Sequence, residues 1–185
     1  SNSFYTISIR STVNPGTNEL VCSILEDISG KKNNIDFGVV SNPEFLREGS
    51  AISDFFHPPY TVLASSSNKA LDTIKELYNF LDSPIETVDI KVAELIKFLN
   101  NSFHALKVAF GNEVGRISHA LNLGDNKLIE LFLKDKILNI SEIYYKPGFS
   151  YGGSCLPKDL MALNSIASNL NINLPLLNNV EQSNT

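Results

Sequence analysis

Apolar residues follow two successive rhythms along this 185-residue chain. Up to about residue 88 they come in short runs split by turns. Phe4 to Thr12 reads as a strand, and Pro15-Gly16 leads into a helical pattern of Leu20, Cys22, Ile24, Leu25 and Ile28 that Gly30 closes. Ile35 to Val40 is a mostly apolar run, crossed only by Asp36, suited to a strand buried on both faces, and it breaks at Ser41-Asn42-Pro43. Tyr60 to Ala64 predicts another strand, residues 69–81 a helix with Leu71, Ile74, Leu77 and Leu81 on one face, and Pro84 to Val88 a last strand. Strands separated by helices predict a parallel α/β unit, with too few strands for a complete doubly wound sheet.

From Asp89 onward the period lengthens. Val92, Ile96, Leu99, Phe103, Leu106, Phe110, Val114, Ile117 and Leu121 step by three or four residues. They predict a single helix of about thirty residues, about 45 Å long. That exceeds what one small domain needs, so the apolar face is expected to pack on a second copy of the chain, as a homodimer. A short helix over 126–133, a loop over 139–153 and a last helix carrying Leu160, Leu163, Ala167 and Leu170 complete an all-helical second half. The change of rhythm divides the chain into 1–87 and 88–185.

Composition narrows the partners. A net charge of −5 with no dense Lys/Arg cluster speaks against nucleic acid or an anionic membrane as the main partner. No apolar run approaches the roughly 18 residues that cross a bilayer, and nothing reads as a signal peptide, so a soluble, cytoplasmic protein is expected. Cys22 and Cys155 lie far apart, and His57, His104 and His119 lack zinc-type spacing with them, so neither a disulfide nor a metal site is expected.

Candidate chemistry gathers at a few positions. In PGFSYGGSCLPKDL, residues 147–160, Cys155 precedes a helix whose unpaired N–H groups and dipole favour a thiolate; Lys158 adds a cation, and Pro157 suits the first turn. Gly152 and Gly153 would let a substrate approach the backbone. From these residues alone, Cys155 is either a nucleophile or an inert packing cysteine. Cys22, within an apolar stripe, reads as packing. Lys97 and Asn101, four apart on the long helix, either grip one ligand oxygen or form a solvated pair. In SNPEFLREGS, Glu44 and Glu48 follow a strand at the sheet edge where α/β folds place ligands, and either serve as a base and a hydroxyl acceptor or lie on the surface. Thr12 ends a strand and is otherwise a turn residue. Asp159 is otherwise a first-turn carboxylate.

Four stretches, RSTVNPGT, FGVVSNPEFLREGSAISDF, VAELIKFLNNSFHALKVAFGNEV and PGFSYGGSCLPKDL, occur together in an order that resembles the UDP-glucose/GDP-mannose dehydrogenase family across almost the whole chain. The resemblance implies part of a Rossmann-type NAD domain, then an all-α central domain like the C-terminal domain of 6-phosphogluconate dehydrogenase. It implies NAD as cofactor, a nucleotide sugar as substrate, and two oxidations at C6 through a cysteine-bound thiohemiacetal and thioester. By this resemblance Cys155 is the nucleophile and Lys97 and Asn101 are oxygen donors. Asp159 and Thr12 position and deprotonate a water, and Glu44 is an acid/base. Glu48 and Lys158 contact substrate or cofactor, Thr12 also lies against the cofactor, and Tyr144 and Lys146 face the nucleotide sugar.

LNIS, YYKPGF, HPPYTV and GGSCLPKDL resemble the GDP-mannose branch, whose product is GDP-mannuronate, more than the UDP-glucose branch. Lys146 departs from the Tyr-Tyr-x-Arg of some GDP-mannose enzymes. The family's opening G-x-G-x-x-G unit and its closing nucleotide-binding domain have no counterpart here, which predicts a fragment. Such a piece is expected to release no NADH from GDP-mannose. A reading of another class is a non-catalytic helical dimerisation module.

Overall fold

The computed structural model of the chain describes residues 3–123, 127–141, 143–144 and 149–184. They fall into two compact units, 1–102 and 103–185.

In the first unit, β1 (Tyr5–Ile9) pairs in parallel with β2 (Phe37–Ser41), Tyr5 standing opposite Phe37 and Ile9 opposite Ser41. The helix α1 (Thr17–Ser29) supplies the crossover. It stops because Gly30, at φ 67°, donates its N–H to Glu26 in the left-handed cap that glycine adopts without strain. After α2 (Ala51–Phe56) comes a second parallel pair, β3 (Thr61–Leu63) with β4 (Ile85–Thr87), joined through α3 (Asn68–Leu77). An antiparallel bridge between Ser41 and Ala64 links the two pairs. The predicted parallel α/β pattern is therefore present as two short ribbons.

β2 is buried along its whole length, as its apolar run predicts, but it begins at Phe37: Ile35 is 73% exposed. Asp36 closes a turn there by accepting from the Lys32 N–H, and Asp36 N–H donates back to the Lys32 carbonyl, so the chain is still turning at residue 35. Val40 and Leu63 pack against Ala70, Leu71, Ile74 and Tyr78, at roughly 1.5–3 kcal/mol for each fully buried aliphatic side chain. Gly38 permits this closeness. A Cβ built on it would lie 2.6 Å from the Ala70 Cβ and 2.8 Å from the Ser67 Cβ. Ser67 caps α3 by accepting from the Ala70 N–H. α1, in contrast, leaves Leu20, Ile24 and Ile28 exposed and buries Asn18.

The helix α4 (Ile90–Ala120) begins in the first unit, where Ala93 packs on Val62 and Ala64 of the β3 region. The stripe predicted along it is largely outside this core: Val92, Leu99, Leu106 and Leu121 are exposed, and the buried positions are Ala93, Glu94, Glu113, Ile117 and Ser118. In the second unit, Ile117 packs with Ala167, Leu174 and Leu177 from α6 (Cys155–Asn169), its C-terminal loop and α7 (Pro175–Asn178). α5 (Lys127–Phe132) lies within the predicted 126–133 helix, Asn126 being outside the described residues, and Phe132 stacks on Phe110. α8 (Val180–Ser183) is the last helix of the described chain.

Candidate active site

β1 and β2 run in parallel and end side by side, so the segments that follow them, Thr12-Val13 and Asn42-Pro43-Glu44, leave the same sheet edge. This is the edge at which open α/β sheets receive nucleotide ligands. A cavity of about 10 Å³ lies there, lined by Thr12, Val13, Pro43, Glu94 and Lys97 among others, and has room for about one water. Lys97 is nearly buried, and its Nζ pairs with Glu44 Oε1 at 3.2 Å. The same ammonium lies 5.7 Å from the Phe45 ring centre, and Phe45 meets Tyr60 edge-on. Thr12, Glu44 and Lys97, far apart in sequence, are thus gathered at one place. Asn101 is exposed on α4, while its neighbour Asn100 donates to the Tyr60 hydroxyl at 3.3 Å.

Buried polar residues shape this edge. Asn42 is held on three sides: its N–H donates to the Ile9 carbonyl, its Nδ2 to the Val62 carbonyl, and its Oδ1 accepts from the Tyr78 hydroxyl. The Arg10 guanidinium donates to the same hydroxyl. Asparagine here fixes the start of the loop that carries Glu44. Glu44 also accepts from the Leu46 N–H at 2.6 Å, which tightens that loop. Glu48 lies on the exposed turn before α2. Arg47 beside it grips Asp54 through two side-chain bonds and a backbone N–H, and this holds the Asp54 carboxyl well below the usual carboxylate range.

In the second unit, Cys155 is the first residue of α6 and its thiol is free and exposed, as a nucleophile must be and a packing cysteine need not. Gly153 precedes it at φ 78°, a conformation that favours glycine, and a side chain there would meet nothing within 4 Å. Ser154 Oγ lies 3.9 Å from the sulfur. Pro157 falls in the first turn, as its sequence position predicts. Lys158 and Asp159 pair with each other at 3.7 Å, both largely exposed. Tyr144 is exposed with φ 71°. Lys146 lies outside the described residues. The other cysteine, Cys22, is half-buried, and burial followed by the nearby Glu26 pushes its thiol pKa up. No group of three or more His, Cys, Asp or Glu suited to a metal occurs among the described residues.

Residues 1–82 match the NAD binding domain of the UDP-glucose/GDP-mannose dehydrogenase family, and residues 91–185 match its central domain. The chain belongs to the UDP-glucose/GDP-mannose dehydrogenase family. It is 50% identical over 182 residues to the GDP-mannose 6-dehydrogenase of Pseudomonas savastanoi pv. phaseolicola, an alignment covering 98% of this chain and 42% of that protein. UDP-glucose 6-dehydrogenase YwqF of Bacillus subtilis is 38% identical over 171 residues, 92% of this chain and 38% of the relative. The crystal structure of a ternary complex of GDP-mannose dehydrogenase from Pseudomonas aeruginosa superposes with a TM-score of 0.94 at 44% identity, covering 99% of this chain and 42% of that one. The chain thus spans about two fifths of the length of these family members.

Family membership gives the two halves their assignments: an NAD-type α/β portion followed by the helical central domain. Sequence reasoning missed α2, α7 and α8, and three buried polar residues that hold segments together: Glu94, Asn42 and Glu113. A faint signal existed for the glutamates, since each adjoins the apolar stripe of the long helix.

Proposed function

We propose that this chain carries the chemistry of an NAD-dependent nucleotide-sugar 6-dehydrogenase, oxidising GDP-mannose twice at C6 to GDP-mannuronate. The observation that carries the reading is the exposed free thiol of Cys155 at the head of α6. The higher identity to a GDP-mannose relative, 50% against 38% for YwqF, supports the substrate.

The residues at the β1–β2 edge suit the ring-and-ribose end of NAD. Thr12 lines the cavity and Glu48 supplies a carboxylate for sugar hydroxyls, while the sequence offers no glycine-rich strand–helix turn for the pyrophosphate. NAD⁺ held there would supply the oxidant, as acceptor of the hydride from each oxidation. The chain's own residues do the rest. After the alcohol has become an aldehyde, the Cys155 thiolate adds to C6 and gives a thiohemiacetal, whose oxidation leaves a thioester. Water cleaves that bond, releasing the carboxylate and restoring the thiolate. Lys97 and Asn101 donate to the oxygen on C6 as negative charge grows there. Glu44 exchanges protons with substrate or water, and Thr12 and Asp159 orient the hydrolytic water. Lys158 contacts the cofactor, and Tyr144 and Lys146 contact the sugar nucleotide. In this reading 1–87 serves the cofactor and 88–185 carries the nucleophile.

The exposed Val92, Leu95, Leu99 and Leu106 of α4 support a homodimer, and sedimentation at a single molecular mass of one chain would remove that part. No helix among the described residues is long and apolar enough to cross a membrane, and both cysteines are free, which supports action in the cytoplasm.

The test is a chimera in which this chain replaces the matching 182 residues of the Pseudomonas savastanoi relative. With GDP-mannose it should form two NADH per uronate, and UDP-glucose should be the poorer substrate. One NADH per sugar with free aldehyde accumulating would refute the mechanism. A preference for UDP-glucose would refute the substrate.

A further inference from the structure

Glu94 is 4% exposed, yet none of the roles above uses it. Its two carboxylate oxygens accept from the Gly16 N–H at 2.7 Å and the Asn18 N–H at 2.8 Å. These are the cap and the second residue of α1, whose N-terminus has no side-chain cap bond from Gly16. The cap is therefore delivered from α4, 76 to 78 residues away, by a charged acceptor that bonds N–H groups more strongly than a neutral one. Gly16, at φ 94°, is the residue that lets the chain turn into this carboxylate.

The bond is one link in a closed circuit within the first unit. From Glu94 it passes to Asn18, whose buried side chain donates to Ser41 Oγ at 3.0 Å and to the Val39 carbonyl at 3.4 Å. Ser41 ends β2 and leads through Asn42 and Pro43 to Glu44. Glu44 returns to α4 through Lys97, one helical turn beyond Glu94. Three segments are tied together at their ends: the loop carrying Thr12, the loop carrying Glu44 and the helix carrying Lys97. Glu94 also lines the same water-sized cavity as Thr12 and Lys97.

We infer that Glu94 is a positioning residue, whose carboxylate cap on α1 fixes Thr12 and Lys97 relative to each other. This rests on the roles proposed above for those two residues. Glu94→Gln preserves size but leaves one acceptor oxygen where two N–H groups point, and turns an amide N–H₂ toward one of them. In the chimera, kcat should fall on the order of 10- to 100-fold, with KM for GDP-mannose within about 2-fold of the parent, when assayed well below the variant's melting temperature. Glu94→Asp should recover part of the lost kcat. A lowered melting temperature with unchanged kcat would overturn the inference, because the cap would then serve folding alone.

A second arm does not depend on turnover. Amide and methyl NMR spectra of the 185-residue chain carrying Glu94→Gln should show Gly16 and Asn18 shifting together with Thr12 and Lys97. Shifts confined to Gly16 and Asn18 would overturn the inference even if the parent chimera were inactive, a result that would count against the proposed reaction instead. Should Glu94→Gln not fold, Glu94→Asp takes its place, since it keeps the charge but shortens the reach to the two N–H groups by one methylene. It is expected to lower kcat several-fold at constant KM. A parental kcat there would overturn the inference.

Discussion

Glu113→Ala should loosen the seat of α6, the helix that begins at Cys155, the proposed nucleophile. Glu113 is 3% exposed, and its oxygens accept from the Leu176 N–H at 2.7 Å and the Leu177 N–H at 3.0 Å, in the first turn of α7. Arg116 lies 3.4 Å away on its solvent side. Leu177 packs with Ile117 and Ala167, so the cap fixes the surface on which the later turns of α6 rest. Each hydrogen bond to a charged acceptor contributes about 1.5–3 kcal/mol, and alanine leaves two N–H groups unsatisfied, one of them buried, while ending the cost of keeping a carboxylate from water. The net loss should be about 3 kcal/mol. Hydrogen–deuterium exchange of peptides covering residues 174–180 should then speed up by on the order of 100-fold, since about 1.4 kcal/mol corresponds to a factor of ten. Glu113→Gln, keeping one acceptor, should fall between. Exchange in Glu113→Ala within about 3-fold of the parent would refute the reasoning, because no account with two charge-assisted caps allows so small a change.

Cys155→Ser in the chimera should abolish uronate formation, measured by chromatography of the products, and in the chain it should remove the thiol that alkylates first. The Cys22 thiol, pushed up by burial and Glu26, should label slowly near neutral pH and faster only as the pH passes above the ordinary thiol range. Gly38→Ala drives a methyl group into Ala70 and Ser67, so it should cost about 1–3 kcal/mol and lower the melting temperature, followed by circular dichroism. The Asp54 carboxyl, held down by Arg47, should titrate below the free value of about 3.9 in a carbon-detected NMR titration. Because its folded pKa is depressed, its contribution is complete above that free value and is lost as the pH falls through the folded one. Arg47→Ala should return the midpoint upward.

The fold was legible wherever local rhythm and burial agree. β2 shows this: its five buried residues, Phe37 to Ser41, coincide with the apolar stretch 37–40 and the serine that follows it. The rhythm misplaced its first residue, because Ile35 has the composition of a strand and the backbone of a turn. α1 shows the limit more sharply. Its apolar positions are spaced as the pattern requires, but spacing says which residues share a face and nothing about what covers it. In this chain Asn18, not Leu20 or Ile24, is the residue it buries. α2, α7 and α8 have six residues or fewer, less than two turns, so no apolar period can repeat within them.

The candidate site was legible for the residues proposed to do chemistry and hidden for those that hold them. Thr12, Glu44 and Lys97 stand out because a reactive side chain at a strand end or in a distinctive motif departs from what packing alone would choose. Glu94 and Glu113 do not, since a glutamate on a long helix is usually a solvated one. What buries them is a demand created elsewhere: the N-termini of α1 and α7 point N–H groups inward, and the turns before them carry no side-chain cap of their own. That demand arises 78 residues before Glu94 and 63 residues after Glu113. α4 answers it twice with the same group, in each unit once, and only a carboxylate can accept from two N–H groups while carrying the charge a helix N-terminus favours. Within the first unit, the stretch of α4 that presents Lys97 at the β1–β2 edge thus also carries, about one turn earlier, the carboxylate that caps α1.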